Sequence, residues 1–204
     1  MSMRSKLKGR LLDAIFARYA GFFWAYRHWI DKGWPESYAS DESLRHPHRR
    51  LILEAVSRFE PFDSIFEYGS GPGPNLILLS KKYPGLSLYG YDISKIARLK
   101  LSKISNTVAL NPTDLPPKKV DGCISDAALI YREKPIFLRY VQDNSKFYVG
   151  CEWHDDTRDS YRIDRNYVHN FKRLLPGCEL RKLTWQDWQD EGWSTYGHII
   201  TWKK

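Results

Sequence analysis

Glu67, the run Gly69-Ser70-Gly71-Pro72-Gly73 and Asn75 form the densest group of chemically useful residues in this 204-residue chain. Three glycines in five positions permit a tight turn whose backbone amides stay open, with no Cβ in the way of a ligand. A helix starting near Asn75 would aim its positive end at the same crevice. An acid two residues before the first glycine opposes a phosphate and suits a cation. The dinucleotide fingerprint GxGxxG would also want glycine at position 74, where Pro74 stands. Asp92 lies 23 positions after Gly69, at the spacing where a carboxylate can accept hydrogen bonds from a ribose diol. The chemistry written here is the cradling of a ligand with a cationic end and a ribose.

Strands and helices must alternate to hold these groups. Short β runs are predicted at 64–68, 86–91, 107–110, 121–125 and 146–151, with helices over 49–59, 75–83, 94–103 and 136–142. Pro84-Gly85 stops the second of these helices, and a further helix is predicted over 165–175, ended by Pro176-Gly177. Two last strands, 179–184 and 198–202, flank a polar, Trp-rich stretch over 185–193. Strands spaced by helices argue for an α/β fold with a doubly wound, mostly parallel sheet, finished by an antiparallel hairpin or an inserted edge strand. Upstream, Leu12, Ile15, Phe16, Tyr19, Phe22, Phe23, Tyr26, Trp29 and Ile30 keep the spacing of an amphipathic helix. Residues 1–48 are therefore read as a helical, lid-like segment and 49–204 as the ligand-binding domain.

Composition narrows the class. The chain carries 32 Lys+Arg against 24 Asp+Glu, a formal net charge of +8, and 42% apolar residues, which suits one folded domain with an appendage. The dense basic cluster is Arg4, Lys6, Lys8 and Arg10, with no acid before Asp13; elsewhere the charges are interspersed, so RNA stays open as a partner but is not favoured. Cys123, Cys151 and Cys178 are widely spaced and odd in number, which disfavours a disulfide framework or a zinc set; no metal is expected. Asp13 and Arg18 interrupt the only segment that resembles a signal peptide, and no run approaches the length of a membrane span, so a cytoplasmic location is expected. All eight tryptophans fall outside residues 35–152, leaving a plain α/β centre between two aromatic-rich ends.

The stretch Phe66-Glu67-Tyr68-Gly69-Ser70-Gly71-Pro72-Gly73 resembles the first motif of the class I S-adenosylmethionine-dependent methyltransferases, an acid followed by GxGxG. Leu88-Tyr89-Gly90-Tyr91-Asp92-Ile93-Ser94 is similar to their second-strand motif. Asn111-Pro112-Thr113-Asp114-Leu115-Pro116, with Val120-Asp121-Gly122-Cys123-Ile124-Ser125 after it, resembles their adenine-side loop and fourth strand. The resemblance covers roughly 50–204 and implies a seven-stranded sheet of that type behind an N-terminal helical extension. It also implies S-adenosyl-L-methionine as cofactor. By that resemblance Gly69, Ser70, Gly71 and Gly73 would wrap its methionyl and ribose part, with Glu67 near the amino group and Asn75 opening the following helix. Asp92 would hold the ribose hydroxyls and Ile93 pack on adenine; Asp114 would take the exocyclic amine and the Leu115 amide the ring.

Methyl transfer from an activated sulfonium needs an in-line nucleophile above all, and a base only where the acceptor must lose a proton. The candidates past the fourth and fifth strands are Asp126, Tyr131, Glu152 and His154, with His154 the first choice and Asp126 and Tyr131 beside it as catalytic residues. Ser125-Asp126-Ala127-Ala128 stands where amino-methylating nucleic-acid enzymes carry Asn/Asp-Pro-Pro-Tyr/Phe, which lowers that reaction. Cys123 reads as core rather than as a nucleophile. As a lid, the N-terminal helix with Trp34, Tyr38, His46 and His48 would cover the substrate; as an interfacial helix it would rest on anionic lipid, a peripheral membrane contact. The expected acceptor is a small molecule, a sugar or glycan, or a lipid-linked intermediate. An RNA or protein methyltransferase and a non-catalytic cofactor-binding partner module are the alternatives.

Overall fold

A computed structural model describes residues 35–204 except 115 and 165. Two short helices, α1 (Pro35–Tyr38) and α2 (Asp41–Leu44), lead into α3 (Pro47–Ser57). There follow β1 (Ser64–Tyr68), α4 (Pro74–Lys82), β2 (Ser87–Tyr91), α5 (Lys95–Leu101), β3 (Thr107–Leu110) and β4 (Gly122–Asp126). A 3-10 turn (Leu129–Tyr131), α6 (Phe137–Asn144) and β5 (Phe147–Trp153) complete the centre. Both α3 and α4 begin on proline, slightly ahead of the predicted starts, because a helix's first turn has no use for the N–H that proline lacks. The predicted amphipathic helix before residue 31 lies outside the described residues.

The strands order as β3-β2-β1-β4-β5-β9-β8, with β9 (Gly197–Lys203) and β8 (Glu179–Lys182) closing one edge. The first five are parallel; β9 runs antiparallel between β5 and β8. Of the two expectations for the chain's end, antiparallel pairing of the last two strands holds; the inserted strand, β9, lies between β5 and β8, and the edge is β8. Alternate residues feed two layers. Ile65, Leu88, Ile124 and Val149 pack with α3 and α4, whose buried residues there include Leu51, Ile52, Val56 and Leu76. Phe66, Cys123, Tyr148 and Ile200 face the opposite layer, with Leu138, Val141 and Phe171. All seven residues of β5 are buried, as a strand covered on both faces requires.

The helix predicted over 165–175 is a correction. Residues there form β7 (Asn166–His169), paired antiparallel with β6 (Ser160–Ile163), and only a short helix, α7 (Phe171–Leu174). Tyr161 lies opposite Val168 and Arg162 opposite Tyr167, so cross-strand pairing outweighs the helical spacing of the apolar residues. The Trp-rich stretch holds two brief helices, α8 (Trp185–Trp188) and α9 (Glu191–Tyr196). The first starts on a Thr184–Asp187 capping box and the second on Asp190. Among the described residues, no helix is long and apolar enough to cross a membrane.

Candidate functional site

The chain leaves β1 at Tyr68 and turns sharply. Gly69 adopts φ +71°, and a Cβ there would stand 2.4 Å from the Ala128 Cβ, so a side chain would collide with the segment after β4. The glycine loop is tied to the end of β2: Gly69 N and Ser70 N donate to Tyr91 O at 2.8 and 2.9 Å. Gly71 N donates to Asp92 Oδ2 at 2.9 Å, and Ser94 N donates to Asp92 Oδ1 at 2.7 Å. Arg98 Nη1 donates to the carbonyls of Asp92 and Ile93. Asp92 is thus a hub that joins two loops; burial raises its pKa, against the two backbone hydrogen bonds.

A buried polar network forms the floor. Glu67 Oε1 accepts from Asn75 Nδ2 at 2.7 Å, and the same amide nitrogen donates to Asp126 Oδ2 at 3.0 Å. Arg49 Nη1 donates to Asp126 Oδ2 at 2.9 Å and to Asn75 Oδ1 at 3.1 Å. The guanidinium is steadied by Ser43 through its carbonyl and hydroxyl. His48 Nε2 lies 3.1 Å from the same Asp126 oxygen. Three partners therefore converge on Asp126 Oδ2, whereas Asp126 Oδ1 and Glu67 Oε2, both buried, have no hydrogen-bond partner among the described residues. Burial pushes the Glu67 carboxyl up to about 8, despite the Asn75 hydrogen bond. At Asp126 burial acts in the same sense, but His48, Arg49 and Asn75 together outweigh it and hold that carboxyl well below the usual range.

These groups line a cleft at the carboxyl ends of β1, β2 and β4, with roughly 770 Å³ of empty space, its mouth included. Glu67, Gly69, Ser70, Gly71, Asn75, Asp92, Ile93, Asp126 and Tyr131 all border it, so most of the sequence-predicted set comes together. Burial raises the Tyr131 pKa. Ala127, in the same wall, holds φ 52°, and Glu152 fixes the segment after it. The Glu152 carboxylate accepts from Ser125 Oγ and from the amides of Ala128, Leu129 and Ile130. Glu152 shapes the wall from behind instead of facing the cleft.

Three predicted residues are placed elsewhere. His154 is buried under the β6–β7 hairpin, where its Nδ1 accepts from Phe171 N at 3.0 Å and its Nε2 lies 2.9 Å from Asp156 Oδ1. With both ring nitrogens engaged away from the cleft, it is a packing residue, not a base. Gly73 caps α4, and a Cβ there would meet Leu101 and Ile104 at 2.6 and 2.5 Å, so its role is the close approach of helix and loop. Asp114 is exposed and closes a turn by accepting from Asn111 N and Nδ2. Leu115 lies outside the described residues.

The sequence reading missed Arg49 and gave His48 only a covering role. Both residues are 3% exposed and point inward from the first turn of α3. The available signal was helical phase: Arg49 shares a face with Ile52 and Val56, and His48 with Ile52 and Ala55, all buried. Ionisable groups on an apolar stripe need buried partners, and Asp126 supplies one.

No protein-family model matches the sequence, and no curated protein matches it. Solved structures match it in shape at low identity. A SAM-dependent methyltransferase from Aquifex aeolicus superposes with a TM-score of 0.57 at 18% identity, covering 84% of this chain and 97% of that one. The O-methyltransferase of a trans-AT PKS multienzyme from Brevibacillus brevis, solved with S-adenosyl-L-homocysteine, gives 0.57 at 11%, covering 76% and 71%. A complex of the Haloferax volcanii Trm112 methyltransferase activator with a putative methyltransferase gives 0.52 at 15%, covering 82% and 95%. The fold is that of the class I S-adenosylmethionine-dependent methyltransferases.

Proposed function

We propose that this protein transfers a methyl group from S-adenosyl-L-methionine to a small-molecule, sugar or lipid-linked acceptor. The observation that carries the reading is a pair of buried carboxyl oxygens, Glu67 Oε2 and Asp126 Oδ1, which have no partners among the described residues and belong to side chains that line the glycine-loop cleft. Buried polar atoms of that kind are costly unless a ligand pairs with them. A cationic ligand carrying an ammonium fits them; the pyrophosphate of a dinucleotide would meet two acids. When bound, the cofactor supplies a methyl group already activated on sulfur. Glu67 and Asp126 would accept from its ammonium, and the loop from Gly69 to Gly71 would leave room for its backbone-hugging part. Asp92 retains lone pairs for ribose hydroxyls, and Ile93 offers an apolar face to the base. One protein of the same fold was solved with S-adenosyl-L-homocysteine, the demethylated form of that donor, which supports the assignment.

Calorimetric titration of the full chain with S-adenosylmethionine, S-adenosylhomocysteine and NAD tests the reading. The first two are expected to bind and NAD is not. Binding of NAD alone, or of none of the three, would overturn it.

A further inference from the structure

The floor of the cleft continues through Asp126 to two histidines that the methyl-donor reading does not use. His48 Nε2 lies 3.1 Å from Asp126 Oδ2, and His48 Nδ1 lies 2.5 Å from His46 Nδ1. The His48 ring stacks on Trp188 at 3.9 Å, and Trp188 stacks on Trp193 at 3.8 Å. Trp193 in turn packs edge-on against Trp153, the last residue of β5. The strand order puts the glycine loop and Asp92 on the β1–β2 side of Asp126. The histidine pair therefore extends from Asp126 the other way, toward β5 and the α8–α9 connection. Asp126 lines the cleft, and the two histidines lie behind it on that side.

We propose that His46, backed through His48 by Asp126, is the base that takes the proton from a hydroxyl acceptor, so that the transfer is an O-methylation. The inference rests on the methyl-donor reading above.

Counting protons gives the direction. Two neutral imidazoles carry two N–H groups. The Asp126 carboxylate holds one on His48 Nε2, and two Nδ1 atoms 2.5 Å apart share the other. The bare lone pair is then at His46 Nε2, and His46 is the half-buried, outer member of the pair. Burial, with the neighbouring His48 and Arg49, lowers the His46 pKa to about 4, against the pull of Asp126, which keeps it unprotonated at neutral pH. As the acceptor's O–H bond breaks toward His46 Nε2, the freed electron pair on oxygen forms the O–C bond and the pair of the broken C–S bond stays on sulfur. The proton is delocalised over the two rings, and the positive charge passes from sulfur to an imidazolium that lies between Asp126 and an indole face. An amine attacks with its own lone pair and a carboxylate is already ionised, so neither needs this relay.

Side-chain 15N–1H correlation spectra of the histidine-labelled full chain at pH 7, without cofactor, are expected to show His46 as the Nδ1–H tautomer and His48 as the Nε2–H tautomer. In His48→Gln, His46 should titrate closer to the ordinary histidine range. His46 found with its proton on Nε2 would overturn the proposal. Transfer from methyl-tritiated S-adenosylmethionine to phenol and to 4-nitrophenol at pH 8 gives the second readout. His46→Gln should slow transfer to phenol on the order of 100-fold, slow 4-nitrophenol far less because it is largely ionised, and leave S-adenosylhomocysteine affinity unchanged. Equal loss with both phenols, preferred transfer to aniline, or no transfer to either phenol would overturn the base assignment. Failure of S-adenosylhomocysteine to bind would instead strike the methyl-donor reading.

Discussion

Burial and a cationic ligand pull Glu67 in opposite directions. In the free protein its carboxyl is pushed up to about 8 by burial, so it is protonated at pH 6.5. An ammonium donating to Oε2 favours the carboxylate, so binding must expel the proton. Below about pH 8 the free site holds the extra proton, and affinity should therefore rise with pH through 6 to 7. Calorimetry of S-adenosylhomocysteine binding at pH 6.5, in buffers of different protonation enthalpy, should find close to one proton released. Glu67→Gln should release none. Equal proton release by both proteins would show that Glu67 does not face the cation. Glu67, the glycine run and Asp92 were legible because their meaning is local, carried by spacing along one strand–loop–helix unit. Arg49 was not: its partner Asp126 is 77 positions away, and only the packing of α3 onto the end of β4 brings them together.

At the next scale the hairpin β6–β7 explains what His154 does. His169, at the end of β7, puts Nε2 3.0 Å from Leu129 O, and Leu129 belongs to the wall that Glu152 clamps. His154 anchors the chain just beyond, through the amide of Phe171. The hairpin is thus a brace behind the cleft, not part of it. Replacing His154 by alanine leaves the buried Phe171 amide without an acceptor, a loss of about 1–3 kcal/mol in stability. Chemical denaturation should register that loss while S-adenosylhomocysteine affinity stays unchanged; a large drop in affinity at wild-type stability would restore His154 to the site. The parallel core was readable from its sequence because each strand there is a short apolar run between clear turn signals. The hairpin was hidden because Val168, Phe171 and Leu175 also keep a helical spacing, and pairing between two adjacent four-residue strands decided the outcome.

Over the whole molecule, much of the net charge of +8 comes from the basic cluster Arg4, Lys6, Lys8 and Arg10, which lies outside the described residues. Among the described residues, Arg58, Lys146, Lys172 and Arg173 each pair with a surface acid. The cleft, by contrast, draws on segments from across the chain: α3, the loop after β1, the end of β2 and the wall after β4. A ligand there holds together elements that separate only when the sheet unfolds, so its binding energy should appear as global stability. At a hundred times its dissociation constant, S-adenosylhomocysteine should add about 2.7 kcal/mol. For a chain of this size that corresponds to on the order of 5–10 °C in Tm. Asp126→Asn removes the anion between Arg49 and His48 and one of the two open oxygens. It should lower the melting temperature of the free protein, by about 3–5 kcal/mol of lost stability for a broken buried pair. It should also remove most of the ligand-induced shift. If the variant instead melts lower but gains as many degrees from S-adenosylhomocysteine as the wild type, Asp126 serves the fold alone, and the cation must be held by Glu67 without it.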